Sequence, residues 1–226
     1  MTVGEQPVET LQQQIEAFQA QLATQLPPEM LAALAKSSAT LIQTGIAQQS
    51  VKTGERAPDF TLPDVFGNQV TLSELLKQGP VVVTFYRGEW CPFCNLQLRA
   101  YQRILPQIRS LGATLVAISP QTPDHSLSTR EKKELTFTVL SDVGNQVARA
   151  YRLVFTLEEG IRPVYTAIGA DLPTFDGDAS WELPMPGTFL VAQDGTVRLS
   201  FVTEDYTRFM EPADLLDGLR AIAGGR

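Results

Sequence analysis

The hydrophobic rhythm of the chain changes near residue 50. Before that point Val8, Leu11, Ile15, Phe18 and Leu22 recur at alternating steps of three and four, which lines one stripe of a helix with apolar groups. Pro27-Pro28 breaks this helix. A second is predicted from Glu29 through Met30, Leu31, Leu34, Leu41 and Ile42 to about Gly45, a residue suited to helix ends. The two read as a hairpin over 1–50. Its stripe packs either on the chain's own body or on a second copy in a homodimer, and two heptads are too few to separate these readings.

From Val51 onward short apolar runs alternate with Gly, Pro and Asp. Phe60-Thr61-Leu62 and Gln69-Val70-Thr71-Leu72 flank a turn at Gly67-Asn68 and predict a small hairpin, with Ser73 as cap of a short helix Glu74 to Lys77. Val81 to Tyr86 reads as a fully buried strand. A helix follows from Pro92 to Leu111, with Pro92 well placed at its first position and Pro106 expected to kink or interrupt its later half. Ala113 to Ile118 is a second continuous apolar strand, Asp124 to Glu134 a helix, Phe137 to Leu140 a third strand and Gly144 to Tyr151 a short helix. Unbroken apolar strands alternating with helices indicate parallel pairing with helices on both faces.

The last stretch has a different period. Thr188 to Val191 and Val197 to Val202 flank Asp194-Gly195, a strong hairpin signal, and an amphipathic helix through Leu215, Leu216, Leu219 and Ile222 closes the chain. A parallel βαβ unit joined to an antiparallel hairpin and a final helix defines an α/β, thioredoxin-like fold over 51–226: a mixed central sheet flanked by helices, behind an N-terminal helical extension.

Composition narrows the function. Of 226 residues 43% are hydrophobic, enough for a substantial core, and the formal charge is -7. With a pI near 4.8 the chain lacks the clustered Lys and Arg that neutralise phosphates, which argues against a nucleic-acid partner. Met1 to Gln6 has neither a basic start nor an apolar core, and no run approaches the ~18 apolar residues of a membrane span. A soluble, cytoplasmic protein is expected, with no membrane partner. In that compartment thiols stay reduced, so a close cysteine pair points to catalysis or metal binding before a structural staple.

The only two cysteines form Trp90-Cys91-Pro92-Phe93-Cys94, directly after the first buried strand. At the head of a helix residues 91 and 94 lie one turn apart on one side, within disulfide reach of each other. Unpaired N–H groups and the helix dipole favour a thiolate at Cys91, which makes it the better nucleophile on local physics. Cys94, one turn in, is suited to resolve a mixed disulfide on Cys91. Arg87 adds positive potential and Trp90 shields one side of the sulfur, or each simply covers the edge of the core. Structural zinc needs four ligands, and His125 is the only histidine, so no metal and no cofactor beyond a redox-active Cys91–Cys94 disulfide is expected.

Gly54-Glu55-Arg56-Ala57-Pro58-Asp59-Phe60-Thr61-Leu62, then Val70-Thr71-Leu72-Ser73 and the strand into Phe85-Tyr86, resembles the opening of the alkyl hydroperoxide reductase/thiol-specific antioxidant family, the peroxiredoxins. Leu140-Ser141-Asp142 followed by Val147 to Tyr151 resembles its next landmark, so the likeness covers about 51–202. The resemblance implies a thiol-dependent peroxidase acting on hydroperoxides, regenerated by thioredoxin or a similar dithiol. The family pattern Pro-x-x-x-Thr-x-x-Cys, aligned on Phe85-Tyr86, puts the peroxide-attacking cysteine on Cys94, the threonine on Cys91 and the proline on Arg87. The changed residues match the Trp-Cys-x-x-Cys of thioredoxins instead, where the first cysteine attacks. Leu183 to Phe189 is similar to the thioredoxin segment whose cis proline faces the disulfide, with Pro186 as candidate against an ordinary trans turn proline.

Two weaker features remain. His125 is expected to start a surface helix, and Asp171 to Trp181, with Asp176-Gly177-Asp178, resembles a calcium loop only in composition and reads as a solvated insertion near the active site. Three functions stay open: the thiol peroxidase, a thioredoxin-like protein disulfide reductase in which Cys91 attacks a disulfide and Cys94 releases the product, and a non-catalytic redox sensor or binding module.

Overall fold

The computed structural model describes residues 9–224; Val8 of the predicted stripe lies outside them. In chain order the elements are α1 (Leu11–Gln25), α2 (Pro28–Gln43), α3 (Ile46–Gln49), β1 (Thr61–Pro63), β2 (Gln69–Thr71), α4 (Leu72–Leu76), β3 (Val81–Phe85), α5 (Pro92–Ser110), β4 (Thr114–Ser119), α6 (Pro123–Lys132) and β5 (Thr138–Ser141). Then come α7 (Gln146–Ala150), β6 (Val154–Thr156), a 3-10 turn (Glu159–Ile161), α8 (Arg162–Ala167), α9 (Leu172–Asp176), β7 (Glu182–Pro184), β8 (Gly187–Val191), β9 (Val197–Val202) and α10 (Pro212–Gly224).

The central sheet has five strands in the order β5-β4-β3-β8-β9. β3 and β4 pair in parallel, as do β4 and β5, because α5 and α6 carry the chain back between them. β8 runs antiparallel to both β3 and β9, with Gly195 at φ 82 in the turn and Asp194 accepting from the Thr196 N–H at 2.8 Å. This is the mixed, thioredoxin-like sheet expected from the sequence. Every residue of β3 and β8 is buried, since helices cover one face and the second apolar cluster, around Phe85, Tyr151 and Phe189, fills the other.

Several local expectations are corrected. Ser73 does not cap a helix: α4 begins one residue earlier, and the Ser73 N–H instead donates to Asp59 Oδ1 at 3.0 Å. Pro106 does not interrupt α5, which runs unbroken from Pro92 to Ser110 because Leu105 and Ile108 beside it are anchored in the core. Between α7 and β8, where the sequence pattern predicts no elements, the chain forms the small β6–β7 ladder and two short helices around a third apolar cluster of Leu157, Ile161, Tyr165, Leu172 and Leu183. Asp171 to Trp181 is therefore solvated only in part, with Gly177, Ala179 and Ser180 exposed. Leu172 and Asp176 are buried, Phe175 stacks on His125 at 4.7 Å, and among the described residues no group of three or more potential ligands gathers as a metal site.

The N-terminal helices straddle the body and do not form a self-packed hairpin: α1 lies along α5, while α2 crosses the 3-10 turn and α8. Leu11 and Ile15 are buried in the same cluster as Leu98 and Tyr101, and the Phe18 ring meets Phe93 edge-on at 5.9 Å. Both carboxylate oxygens of Glu211, from the other end of the chain, accept the Leu11 and Gln12 N–H groups at 3.0 and 2.8 Å and so satisfy the first turn of α1. The stripe is thus spent on the chain's own core. Ile15→Ala is expected to lower stability in urea unfolding by about 2–4 kcal/mol; a change below about 0.5 kcal/mol would show that α1 is not docked in solution.

Candidate active site

β3 delivers the chain to the site. Beyond Phe85 the backbone turns through Arg87, Gly88 and Trp90, and Cys91 becomes the N-cap of α5 with Pro92 at its first position. Pro92 has no N–H to leave unpaired there and its φ is already helical. The Cys94 N–H, one turn in, donates to Cys91 Sγ at 3.5 Å. Gly88 lets the loop close: a Cβ there would stand 2.4 Å from Trp90 Nε1. The Glu89 N–H donates to Gln121 Oε1 and Asn95 Nδ2 donates to the Glu89 carbonyl, both at 2.8 Å, which fixes the loop to its surroundings.

Beneath α5 a buried polar clamp ties the helix to the sheet. Thr84 and Thr188 face each other across β3 and β8 with hydroxyls 3.0 Å apart, Gln97 Nε2 donates to Thr188 at 3.1 Å, and Tyr101 Oη lies 3.2 Å from Thr188 while donating to the Met210 carbonyl. These contacts set where the first turn of α5, and hence the thiols, must lie.

Both cysteines are free thiols with no exposed surface. Arg87, only 3% exposed, donates from Nη2 to Cys91 Sγ at 3.5 Å and from Nη1 to Tyr165 Oη at 3.0 Å. Its guanidinium carbon sits 4.0 Å from the Tyr206 ring centre and 5.0 Å from that of Trp90, so three aromatic rings surround the cation. The two thiols are electrostatically unequal. Burial opposes ionisation of Cys91, but the Cys94 thiol, the Arg87 charge and the Cys94 N–H together pull it well below the ordinary thiol range. Burial and the neighbouring Cys91 push Cys94 the other way. Of the two, Cys91 is therefore the readier to ionise.

Of the residues singled out from sequence, Arg87, Trp90, Cys91, Pro92 and Cys94 converge. Pro186 is buried one residue before Gly187, which pairs with Phe85, so it flanks the strand end where the loop to Cys91 begins. Its expected cis geometry is overturned: no peptide bond among the described residues is cis. The chain is already extended there, with the Met185 N–H donating to the Leu153 carbonyl at 2.7 Å, and it enters β8 without a reversal. Tyr165 and Tyr206 were missed. They reach Arg87 from 78 and 119 positions away in sequence, and nothing local to either residue signals it.

Above the cation lies a chamber of about 430 Å³ between the thiol loop and the N-terminal helices, walled by Leu22, Leu31, Leu34 and Ile168 as well as by Arg87 and Trp90. Such a volume is in the range of small-molecule sites.

The fold and the free dithiol at the head of α5 together define a protein of thioredoxin-like architecture. The chain belongs to the AhpC/TSA family, whose sequence profile matches residues 53–200. A chloroplastic peroxiredoxin Q of Gentiana triflora is 30% identical over 151 residues, which is 67% of this chain and 59% of that protein. The chain spans between about half and three-fifths of the length of such curated relatives. Among solved structures, peroxidoxin BcpB of Mycobacterium tuberculosis superposes with a TM-score of 0.60 at 24% identity, covering 76% of this chain and 98% of that one. Peroxiredoxin Q of Xanthomonas campestris gives 0.56 at 18% identity over 73% of this chain and 92% of its own. The matched family segment begins after α1, α2 and α3, so those helices are an addition to it. No described helix is long and apolar enough to cross a membrane.

Proposed function

We propose that the chain is a thiol-dependent peroxidase in which Cys91 meets the hydroperoxide and Cys94 resolves the product. The observation that carries this reading is the placing of Cys91 Sγ at the helix head, where it accepts from the Cys94 N–H and the Arg87 guanidinium, both at 3.5 Å, so that ionisation is favoured at Cys91 over Cys94. The Cys91 thiolate attacks the distal peroxide oxygen, the O–O bond breaks, and the leaving alkoxide takes a proton to depart as alcohol or water. Cys91 is then a sulfenic acid. Once its charge is gone, the nearby repulsion that kept Cys94 protonated disappears. Cys94 gives up its proton and its sulfur attacks the sulfenic sulfur; hydroxide leaves as water, and the Cys91–Cys94 disulfide forms. An external dithiol such as thioredoxin returns two electrons and two protons. Trp90 and Tyr206 exclude bulk water from the guanidinium, Pro92 sets the entry angle of α5, and Pro186 closes the flank beside the strand end.

The Trp-Cys-x-x-Cys arrangement also favours a disulfide reductase as second reading, with Cys91 attacking a disulfide. The test combines peroxide consumption with dimedone trapping in wild type, Cys91→Ser and Cys94→Ser. Cys94→Ser is expected to accumulate the sulfenate and Cys91→Ser to consume peroxide no faster than free cysteine. A sulfenate retained in Cys91→Ser instead assigns attack to Cys94, and insulin reduction without peroxide turnover assigns the reductase.

A further inference from the structure

Arg87 is a buried cation with an incomplete set of partners. None of the ion pairs among the described residues involves it. The group that balances it is the Cys91 sulfur at 3.5 Å, and its Nε has no hydrogen-bond partner. Trp90 Nε1, a buried donor in the same wall of the chamber, is also unpartnered. Leucines of α1 and α2 with Ile168 supply most of the remaining wall, and Gln19, Ser38 and Thr207 add polar groups to it. In the dithiol state the thiolate supplies the missing negative charge. In the disulfide state Cys91 is neutral, the guanidinium stays charged, and a buried charge without a counter-charge is strongly unfavourable.

We propose that the disulfide form of the protein binds an amphipathic monoanion, a carboxylate with an unbranched apolar tail, its head on the Arg87 guanidinium and its tail between Leu22, Leu31 and Leu34. A carboxylate fits because the guanidinium fork presents parallel donors to two oxygens. An apolar tail fits the stretch between Leu22, Leu31 and Leu34, where a polar tail group would meet only apolar side chains. The helices that form those walls lie outside the family-matched segment, so the site is a property of this chain's extension. The inference rests on the redox cycling of the Cys91–Cys94 pair but not on peroxide as its oxidant.

The test keeps the two apart by oxidising the full chain with diamide, which takes two electrons and two protons from the thiols to become the hydrazine. Loss of both free thiols reports the disulfide; their persistence would overturn the proposal whatever the peroxidase assay gives. Decanoate, below its micelle concentration, is titrated calorimetrically into the disulfide and dithiol forms. At least tenfold tighter binding to the disulfide form is expected. By reciprocity, saturating decanoate must then favour the disulfide by the same factor, and tenfold corresponds to a reduction potential about 30 mV more negative. That shift is read in the wild type and needs no variant. Arg87→Met should abolish the preference and Arg87→Lys should keep most of it, while Leu34→Trp should weaken binding to both forms by filling the tail region. Equal affinity for the two forms, no binding to the disulfide form, or 1-decanol binding as tightly as decanoate overturns the proposal.

Discussion

Arg87→Met is expected to slow the reaction of the protein with hydrogen peroxide at pH 7 by about ten- to a hundredfold, with the folded state retained. The expectation follows from what holds Cys91 ionised. An opposite charge within ~4–6 Å lowers an acid's pKa by about 1–3 units, and Arg87 stands 3.5 Å from Sγ in a fully buried setting. Without it, desolvation is opposed only by Cys94, and the thiol moves back toward or above its ordinary range. The sign can be read directly. In wild type the rate falls only when acid protonates a depressed thiol, so the inflection of rate against pH lies below that of free cysteine; in Arg87→Met it lies well above the wild-type position. The loss is less than the change in thiolate fraction, because a more basic thiolate is intrinsically more nucleophilic. Stopped-flow peroxide reduction across pH 5–9 separates two effects. A moved inflection assigns Arg87 to the thiol, and a reduced plateau with an unmoved inflection assigns it to the peroxide oxygen.

Asp176→Asn is expected to stabilise the protein at alkaline pH. The side chain of Asp176 is 3% exposed, its Oδ1 has no partner, and burial together with Asp178 pushes its carboxyl up to about 8. An unfolded aspartate titrates near ~3.9. Below that value both states hold the proton and the group is neutral toward stability. Between about pH 4 and 8 the unfolded chain releases its proton while the folded one keeps it, so stability falls as pH rises, and above about 8 the loss is complete. At ~1.4 kcal/mol per unit the full effect is on the order of 5–6 kcal/mol. Urea unfolding at pH 5 and pH 9 should show this decline in wild type and a much flatter profile in Asp176→Asn. Equal slopes in the two proteins would mean that Asp176 is hydrated in solution.

What the sequence made legible depended on whether the burial pattern was local. Val81 to Phe85 is buried on both faces, so its apolar run betrays a central strand, whereas Gly187 to Val191 is equally buried but was legible only as one arm of a hairpin. The Asp194-Gly195 turn fixes its hairpin through one left-handed residue and one side-chain acceptor, both encoded within three positions. The thiol pair was readable for the same reason, since Cys91, Pro92 and Cys94 define their geometry through a single helical turn. The Ser73 cap failed because a competing acceptor, Asp59, arrives from fourteen positions upstream. β6, β7, α8 and α9 are three to six residues long, too short for a period to show, and are stabilised by the Tyr165 and Leu172 cluster. The site's cation environment was hidden more deeply. From its neighbours Arg87 reads as a positive charge near Cys91 or as cover for the edge of the core, and Tyr165 and Tyr206 are what enclose it.

Glu211 holds the first turn of α1, and α1 lies on α5, which carries both sulfurs and also packs against α10. In terms of exchange with solvent, α1, α5 and α10 therefore belong to one opening unit instead of three, although they come from the beginning, middle and end of the chain. Fraying of α1 or α10 is expected to reach the turn that holds Cys91, which makes the reactivity of Cys91 a reporter on whether the Glu211 contact to α1 is still made.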